Sequence, residues 1–408
     1  MSRQDTFSTS ASVDTEFETH IQNQSVTVTW NFPVAFTRDL FNSRNTVLAN
    51  AISAPSPGKR HRILVFVDEG VVEANRQLAD DIESYCEHFA SQIELVCEPV
   101  AMPAGEVIKN DLHYIERMQK IVHEHRIDRH SYIIAIGGGA LLDAVGLVAA
   151  ISHRGIRHIR IPTTVLAQND SGIGVKNGVN LFGQKNYVGT FAPPFAVLND
   201  YNFIETLPQR EKIAGMAEAV KVGLIRDAEF FHWLERSADE LITFEPIAMR
   251  HMIRRCAELH MHQISHGGDP FETGSARPLD FGHWAAHKLE ILTKHRLRHG
   301  EAVAIGMALD TRYSVASGLL PAGDDERVCF LLEHLGFKLW HSSLQMENSS
   351  GQLELLAGLQ DFREHLGGEL TITLLKALGT GIEVNHMDNK LVADSLVWLL
   401  ARHEESPL

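Results

Sequence analysis

The sequence predicts an α/β half with a parallel sheet, followed by an all-helical half. From Arg62 to about Asp200, short runs rich in β-branched residues alternate with helical patterns, an order typical of parallel βαβ units. After Pro208 the pattern changes to long segments with helical spacing of the apolar residues. We therefore expect a loose N-terminal arm over residues 1–20, an α/β domain over 21–203 and a helical domain over 204–408.

Each element is predicted from a short segment. The first strand is the alternating stretch from Val26 to Trp30, in which every second residue is apolar. The parallel strands follow in RILVFVD, IELVCEPV, YIIAI, IRHIRIP and FAVLND, with a helix through LHYIERMQKIVHEH between the second and the third. The later helices are predicted in KIAGMAEAVKVGLI, AMRHMIRRCAELHMHQI, FGHWAAHKLEILTKH and ERVCFLLEHLGF. Ligands are expected at the carboxyl ends of the parallel strands.

Composition and charge exclude several classes of protein. Of the 408 residues, 44% are hydrophobic, which is enough for one large core or two ordinary ones. The net charge of -15 argues against non-specific binding to nucleic acid or to an anionic membrane. No apolar run reaches the ~18 residues of a membrane span, the N-terminus does not resemble a signal peptide, and the four cysteines form no C-x-x-C pair. We therefore expect a cytoplasmic protein with reduced thiols.

The strongest local signal in the first half is a strand that runs into Gly137, Gly138 and Gly139 and then into a helix. Glycines at such a turn let backbone N–H groups approach a pyrophosphate at the helix N-terminus. The full dinucleotide fingerprint is absent, because Leu142 stands where the third glycine of G-x-G-x-x-G belongs. A tight strand-to-helix turn explains the triplet equally well.

Polar residues expected at the same sheet edge favour the cofactor interpretation. Asp143 lies in the first turn of the helix, and Thr163 and Thr164 follow the next strand. Asp68 ends an earlier strand, where a carboxylate can accept hydrogen bonds from a ribose. An acid at a strand end is more often a helix cap or a turn residue, so both interpretations of Asp68 stay open.

A Gly-rich segment, DSGIGVKNGVNLFGQKNYVGT, combines lysines with amides. Its candidate ligand groups are Asp170, Lys176, Asn180, Lys185 and Asn186. Fixed ammonium charges suit a phosphate and amides suit hydroxyls, as a phosphorylated, polyhydroxylated substrate requires. Long ordered loops without secondary structure are uncommon unless they bind something, which favours this interpretation over a solvated loop with incidental lysines.

The helical half contains a candidate metal site assembled from distant positions. Glu218, His283 and His299 offer a carboxylate and two imidazoles, and His287 shares a helix face with His283 at i, i+4 spacing. A metalloprotease is disfavoured, because its H-E-x-x-H motif needs glutamate where Trp284 stands. The chain has 23 histidines, so any single one is more often an ordinary surface or core residue. Only the combination with flanking glycines and nearby cationic residues favours a metal.

Six motifs occur along the chain in a characteristic order and spacing. They are IGGGALLDAVG, RIPTTVLAQNDSGIGVKNGVN, KNYVGTFAPPFAVLND, AGMAEAVKVGLIRDAEFF, RPLDFGHWAAHKLE and HGEAVAIGM. Together they resemble the dehydroquinate synthase superfamily of sugar-phosphate cyclases, over roughly residues 60 to 380. The resemblance implies a Rossmann-like NAD-binding domain followed by a helical domain. GGDPFETGSARPLDFGHWAAHKLE and FREHLGGELTITLL are more similar to the sedoheptulose 7-phosphate cyclases (2-epi-5-epi-valiolone synthase and relatives) and to the EboD proteins than to true dehydroquinate synthases.

The resemblance implies a role for each matched residue. It implies that a divalent metal, zinc or cobalt, is held by Glu218, His283 and His299. Substrate or catalytic positions correspond to Asp170, Lys176, Lys185, Asn186, Lys221, Arg277, Asp280 and His287. Positions that hold NAD correspond to Asp68, Glu106, Lys109, Gly137, Gly138, Gly139, Asp143, Thr163 and Thr164. Arg154 matches an arginine that reaches the substrate phosphate of a neighbouring subunit, which implies a homodimer.

Three departures from the dehydroquinate synthase pattern fall where the site grips a substrate carboxylate. Asp280 stands in place of an asparagine, His262 replaces a lysine, and Arg277 is displaced by one position. An aspartate repels a carboxylate, and a histidine is largely neutral at pH 7 where a lysine is charged. A carboxylated substrate is therefore disfavoured.

The resemblance implies a NAD-dependent and metal-dependent cyclase, a carbon–oxygen lyase that eliminates phosphate and closes a carbocycle. The expected substrate is sedoheptulose 7-phosphate or a related ketose phosphate. A 3-dehydroquinate synthase proper is an alternative. A metal-dependent polyol dehydrogenase is another; it shares the cofactor fold and histidine ligands but does not need Lys176, Lys185 and Asn186. A non-catalytic metal- or nucleotide-binding protein is the third, and the intact candidate ligands disfavour it.

Overall fold

The computed structural model describes residues 21–267, 271, 278–365 and 368–405. Phe32–Leu408 form one compact unit and Met1–Asn31 another. The expected loose arm over residues 1–20 lies outside the described residues. The strand predicted from Val26 to Trp30 is wrong, because residues 21–33 form neither helix nor strand and the side chains of Val26 and Trp30 are exposed. An alternating segment forms a stable strand only where another strand pairs with it, and no described strand does so here.

The first half is built on a seven-stranded sheet whose paired strands are all parallel. The strands of the chain are β1 (Val34–Thr37), β2 (His61–Asp68), β3 (Ile93–Leu95), β4 (Val100–Met102), β5 (Tyr132–Gly137), β6 (Arg157–Pro162), β7 (Lys176–Leu181), β8 (Gln184–Phe191), β9 (Ala196–Asp200), β10 (Ile372–Ala377) and β11 (Thr380–Val384). The sheet order is β1-β9-β6-β5-β2-β3, and β4 also pairs with β2. The predicted parallel sheet is therefore confirmed.

Helices cover the sheet and build the second half. They are α1 (Val47–Ser53), α2 (Glu69–Ala74), α3 (Leu78–His88), α4 (Val107–Asn110), α5 (Leu112–Glu124), α6 (Gly139–Ile151), α7 (Asn202–Glu205), α8 (Gln209–Arg226), α9 (Ala228–Arg236), α10 (Ala238–Ile242), α11 (Pro246–His266), α12 (His283–Leu292), α13 (His299–Ala316), α14 (Asp324–His334), α15 (Ala357–His365) and α16 (Asn389–Glu405). Short 3₁₀ turns span Ser152–Arg154, Pro278–Asp280, Ser342–Gln345 and Glu354–Leu356, and a π turn spans Ala167–Ser171.

The central strands are apolar on both faces, because helices bury both. On β2, Ile63 and Val65 pack in a core with α1 and α3, whereas Leu64 and Phe66 pack in a second core with α5 and α6. A third and larger core joins the helices of the second half. This arrangement confirms the predicted fold class, and the helical half additionally contains the antiparallel hairpin β10–β11. None of the described helices is both long and apolar enough to cross a membrane.

The Gly-rich segment that was expected to be a loop is a β-hairpin, so that expectation is wrong. Strands β7 and β8 pair antiparallel, with Lys176 opposite Phe191 at the open end. At the turn, Phe182 and Gly183 have φ of 55° and 73°, the left-handed conformations that a tight hairpin turn requires. Lys176 therefore lies at the open end of the hairpin and Lys185 next to its turn.

Candidate functional site

Three helices bring the candidate metal ligands together. Glu218 lies in the middle of α8, His283 is the first residue of α12 and His299 is the first residue of α13. One ligand atom from each lies within 4.8 Å of the other two. Glu218 Oε1 is 3.7 Å from His299 Nε2 and 4.0 Å from His283 Nε2. The three side chains thus enclose a space of the size that a divalent ion needs.

The chemistry of this cluster fits a divalent metal. Glu218 is fully buried, and its Oε1 has no hydrogen-bond partner in the described structure. His283 Nδ1 lies 3.1 Å from the carbonyl oxygen of Phe281, which leaves Nε2 directed at Glu218. A metal-bound histidine usually donates its other ring N–H to a carbonyl or a carboxylate in this way. A cation bound by both imidazoles would satisfy the orphaned carboxylate oxygen.

Glu290, which the sequence interpretation did not select, connects the cluster to the hairpin. Its Oε1 lies 3.4 Å from His299 Nδ1 and accepts a hydrogen bond of 2.9 Å from Lys185 Nζ. Burial raises the pKa of Glu290, but His299 and Lys185 outweigh burial and hold that pKa well below its usual range. The sequence feature that could have identified Glu290 is its helical spacing, because it lies one turn after His287 and two turns after His283 on α12.

A second charged group lies beside Glu218. Lys221, one turn later on α8, forms an ion pair with Glu218. Burial lowers the pKa of Lys221, but Glu218, Asp170 and Asp280 together raise it above its ordinary value. Asp170 in turn lies 3.0 Å from Nδ1 of His260 on α11, a buried histidine that was not selected from the sequence. The side chain of Lys221 is therefore a buried ammonium surrounded by carboxylates.

The glycine triplet lies at the carboxyl edge of the sheet, as predicted. Gly137 ends β5, Gly138 caps α6, and the Thr163 N–H donates to the Gly137 carbonyl. A Cβ on Gly137 would lie 3.0 Å from the Cβ of Asp68 at the end of β2. Gly139 begins α6, and a Cβ there would lie 2.6 Å from Ser171 Oγ. Larger residues in the triplet would collide with these neighbours.

Asp68 and Thr164 both have local structural partners. Asp68 Oδ1 accepts a hydrogen bond of 2.8 Å from the Gly70 N–H and so caps α2. Burial raises the pKa of Asp68. Thr164 Oγ1 accepts from the Ala167 N–H at 3.1 Å. The cap role of Asp68 is thus observed, and backbone hydrogen bonds from Gly70, Gly105 and Val71 all act against the effect of burial on its pKa. The ribose interpretation stays a prediction.

Lys109 connects the glycine-rich helix to the hairpin. Its buried ammonium donates to Asp143 Oδ2 on α6 at 2.8 Å and also to Asn186 Oδ1 on β8. Asn186 has φ of 55°, a left-handed conformation in which asparagine is enriched among the non-glycine residues. The Lys109 ammonium therefore joins Asp143, a candidate NAD-binding residue, to Asn186, a candidate substrate-binding residue.

Asn180 on β7 completes this network. Its Oδ1 accepts from the Asn186 N–H at 2.8 Å, and its Nδ2 donates to Glu106 Oε1 at 2.8 Å and to Asn110 Oδ1 at 2.7 Å. Glu106 is the N-cap residue of α4 and Asn110 is its last residue, so Asn180 joins that helix to the hairpin. Asn110 was not selected from the sequence.

A cleft of about 720 Å³ lies between the hairpin and α12. Its lining includes side chains from both halves, namely Asn110, Asn180, Lys185, Asn186, His287 and Glu290. The His287 ring centroid is 5.5 Å from that of His283. Lys176 is exposed at the other end of the hairpin, and His262 is exposed on α11. Arg277 lies outside the described residues.

Similarity to known proteins decides the family. Residues 99–214 match the family model described as 3-dehydroquinate synthase N-terminal, and residues 215–355 match 3-dehydroquinate synthase C-terminal. The 3-dehydroquinate synthase of Halorhodospira halophila is 36% identical over 313 residues, which are 74% of this chain and 86% of that protein. The chain belongs to the dehydroquinate synthase superfamily of sugar-phosphate cyclases. The predicted superfamily is thus confirmed, whereas the closer likeness to the EboD proteins stays a prediction.

Two solved structures of superfamily enzymes resemble this one. A 2-epi-5-epi-valiolone synthase from Streptomyces hygroscopicus subsp. jinggangensis 5008, with NAD+ and Zn2+ bound, has a TM-score of 0.82 and 28% identity, covering 93% of this chain and 100% of that chain. A 2-deoxy-scyllo-inosose synthase complexed with carbaglucose-6-phosphate, NAD+ and Co2+ has a TM-score of 0.72 and 23% identity, covering 90% and 96%. The second likeness, at its lower identity, shows the shared fold alone.

Proposed function

We propose that this chain is a sugar-phosphate cyclase that uses NAD and one divalent metal, zinc or cobalt, to eliminate phosphate and close a carbocycle. The observation that carries the proposal is the connection from Lys185 through Glu290 to His299. Lys185, a cation suited to phosphate, and Glu290 both line the cleft, and Glu290 Oε1 lies 3.4 Å from Nδ1 of the candidate metal ligand His299. A polyol dehydrogenase needs the metal ligands but not a phosphate-binding lysine held against them.

NAD, when bound, supplies reversible hydride transfer, and the metal supplies a Lewis acid for a ring oxygen. The residues of this chain position the substrate. Glu290 fixes the Lys185 ammonium at the cleft, and Lys109 and Asn180 fix the Asn186 amide and backbone. Preorganised charges of this kind stabilise a developing negative charge without reorganisation during the reaction.

Lys221 and Asp170 are charged groups near the candidate metal ligand Glu218, and Lys221 forms an ion pair with it. Because Lys221 stays charged among Glu218, Asp170 and Asp280, it can bind a substrate hydroxyl and stabilise that oxygen as it loses a proton. Burial raises the pKa of Asp170, but His260 and Lys221 outweigh burial and hold it well below its usual range. Asp170 therefore acts as a fixed hydrogen-bond acceptor rather than as a proton donor.

The negative charge of Asp280 near Lys221 supports a substrate without a carboxylate. Asp280 contributes to the electrostatic environment of Lys221, so the position that is asparagine in the dehydroquinate synthase pattern adds a negative charge here. A substrate carboxylate near Asp280 would be repelled, and position 262 holds a histidine where the dehydroquinate synthase pattern has a lysine. We therefore propose sedoheptulose 7-phosphate or a related ketose phosphate as the substrate. The second candidate is 3-dehydroquinate synthase activity, which the 36% identity to an enzyme of that name favours.

Phosphate release from two sugar phosphates separates these candidates. The purified protein, loaded with Zn2+ or Co2+ and catalytic NAD, is incubated with sedoheptulose 7-phosphate or with the carboxylated heptulosonate 7-phosphate. We expect phosphate release from the first with no net NADH. Preference for the heptulosonate would establish the dehydroquinate synthase activity instead. Steady accumulation of NADH from a polyol, without phosphate release, would identify a dehydrogenase, and turnover of neither sugar phosphate would direct the search to an EboD substrate.

Arg154 supports a proposed homodimer. It is exposed in the short turn between α6 and β6, where it has φ of 62°. A positive φ is uncommon for a non-glycine residue, and the exposed Arg154 side chain is accessible to a second subunit. We propose that it reaches the phosphate site of a second subunit. Loss of turnover in Arg154→Ala, restored when that variant is mixed with inactive His283→Ala subunits, would support the proposal; no restoration in a proven mixed dimer would contradict it.

A further inference from the structure

A buried carboxylate on α13 contacts both neighbours of the candidate metal ligand His283. Asp310 Oδ2 accepts a hydrogen bond of 3.0 Å from the Gly282 N–H, and its Oδ1 accepts one of 2.8 Å from the indole Nε1–H of Trp284. Asp310 is fully buried, and in the described part of the chain no cation pairs with it. Its carboxylate therefore has two partners, and both belong to the segment that carries His283.

Core stability alone does not explain this carboxylate. Burial raises the pKa of Asp310 to about 7, even though the hydrogen bonds from Trp284 and Gly282 act in the opposite direction. A buried acid without a cation costs free energy that an apolar side chain of similar size does not. What Asp310 contributes is a fixed position for residues 282 to 284, because the N–H groups of Gly282 and Trp284 must both point at one buried carboxylate.

The close backbone contact between the start of α12 and helix α13 also fixes the position of Gly282. Gly282 caps α12 with φ of 77°, and a Cβ on it would lie 2.7 Å from the backbone nitrogen of Met307. A Cβ on Gly306 would lie 2.0 Å from the Gly282 carbonyl oxygen. Asp310 is one helical turn beyond Gly306, so both contacts lie on one face of α13. The start of α12 is thus seated directly on α13.

We propose that Asp310 is a positioning residue, which fixes His283 by binding Gly282 and Trp284 and so sets the distance between His283 and His299. It is not itself a ligand, because it lies about three helical turns, or ~16 Å, along α13 from His299. Helix α13 therefore supplies one ligand and orients the helix that supplies another. This inference rests on the proposed metal site.

Metal affinity tests the inference without any measurement of turnover. The protein is stripped with a chelator, titrated with Zn2+ against a chromogenic competitor, and titrated with Co2+ while the visible d–d absorption reports ligand geometry. Asp310→Asn keeps the shape but turns an NH2 group towards one of the two donors. We expect the Kd for Zn2+ to rise ~tenfold, the low end of the effect of residues that orient metal ligands, and the Co2+ spectrum to change. Combining it with Trp284→Phe removes one donor and should recover part of the affinity.

Thr311→Val is the matched control. Thr311 is also fully buried on α13, and its hydroxyl donates only to the Met307 carbonyl of the same helix. Thr311→Val should lower the unfolding temperature without changing the Kd for Zn2+.

Equal weakening of Zn2+ binding in Asp310→Asn and Thr311→Val, or an unchanged Kd in Asp310→Asn, would overturn the role of Asp310. If Asp310→Asn does not fold, Trp284→Phe alone should weaken Zn2+ binding, and an unchanged Kd there would also overturn it. Failure of the wild type to bind Zn2+ would refute the metal site itself.

Discussion

The glycine edge of the sheet and the cluster of candidate metal ligands differ in how their polar groups are satisfied. At the glycine edge, Asp143 is already paired with Lys109, and Asp68 already caps a helix. In the cluster, Glu218 Oε1 is buried without a hydrogen-bond partner among the described residues and faces two imidazoles. The first region is organised by its own hydrogen bonds, whereas we propose that a cation completes the second. Substitutions should therefore have graded effects in the first region and severe effects in the second.

The largest expected effect is the loss of the metal in His283→Ala. The wild type should contain about one divalent ion per chain, and the variant should contain none and have no measurable turnover while staying folded. Removing one of three ligands leaves the cation under-coordinated, so the loss should be large. Elemental analysis and circular dichroism measure metal content and fold. His403→Ala, an exposed histidine on α16, is the control and should keep the metal. Full metal occupancy in His283→Ala would show that His283 is not a ligand.

The next largest effect should come from Lys185, which connects the β7–β8 hairpin to the cluster through Glu290. Lys185→Ala removes the ammonium that Glu290 holds at the cleft, and we expect kcat/KM to fall about 10²-fold or more, as for other preorganised charges in active sites. NAD affinity, measured by fluorescence titration, should change little. Lys176→Ala should also impair turnover if the family resemblance holds for it, and comparing the two variants tests whether the open end of the hairpin reaches substrate. If Lys185→Ala stays folded but no longer binds NAD, then Lys185 serves the nucleotide and not the sugar phosphate.

The contrast between the regions also explains what the sequence could predict. The parallel sheet follows from apolar strands alternating with helices, and the three proposed metal ligands come together as their motifs suggested. Glu290 and His260 were missed because their importance depends on partners far away in sequence. Lys185 and Glu290 are 105 positions apart, and no local pattern marks such a pair.

The errors in predicted strands have a similar cause. The alternation from Val26 to Trp30 is a good local signal for a strand, but no described strand pairs with it. The segment of β7 and β8 was taken for a loop because it is rich in glycine, yet Phe182 and Gly183 adopt the conformation of a hairpin turn. Strand formation depends on pairing partners more than on composition.

A moderate effect is expected at Asn180, whose side-chain oxygen accepts a hydrogen bond and whose side-chain nitrogen donates two. Asn180→Ala removes the acceptor of the Asn186 N–H and the donor to Glu106 and Asn110. Because Asn186 and Asn110 are exposed and can bond to water instead, the cost should be about 0.5–1.5 kcal/mol. We expect NAD affinity to fall about tenfold and KM for the sugar phosphate to rise. Asn50→Ala, an exposed asparagine on α1, should change neither. If only KM rises, the network belongs to the substrate side alone, and the proposed link to the nucleotide side is wrong.

The smallest effect on stability, in the variant that best resolves the two interpretations of Asp68, is expected from Asp68→Asn. Asparagine caps a helix about as well as aspartate does, so the hydrogen bond from the Gly70 N–H is kept and stability should stay within ~0.5 kcal/mol of the wild type. The carboxylate that would accept hydrogen bonds from a ribose is lost, so NAD affinity should fall about tenfold if Asp68 binds the nucleotide. Asp68→Ala is the complementary variant, because it removes both functions and should also destabilise the protein by ~1 kcal/mol. Thermal unfolding and NADH fluorescence titration of both variants separate the roles. Unchanged NAD affinity in Asp68→Asn, together with lower stability in Asp68→Ala, would leave Asp68 as a helix cap only, and the glycine edge would then depend on Asp143, Lys109 and the backbone of α6 to bind the nucleotide.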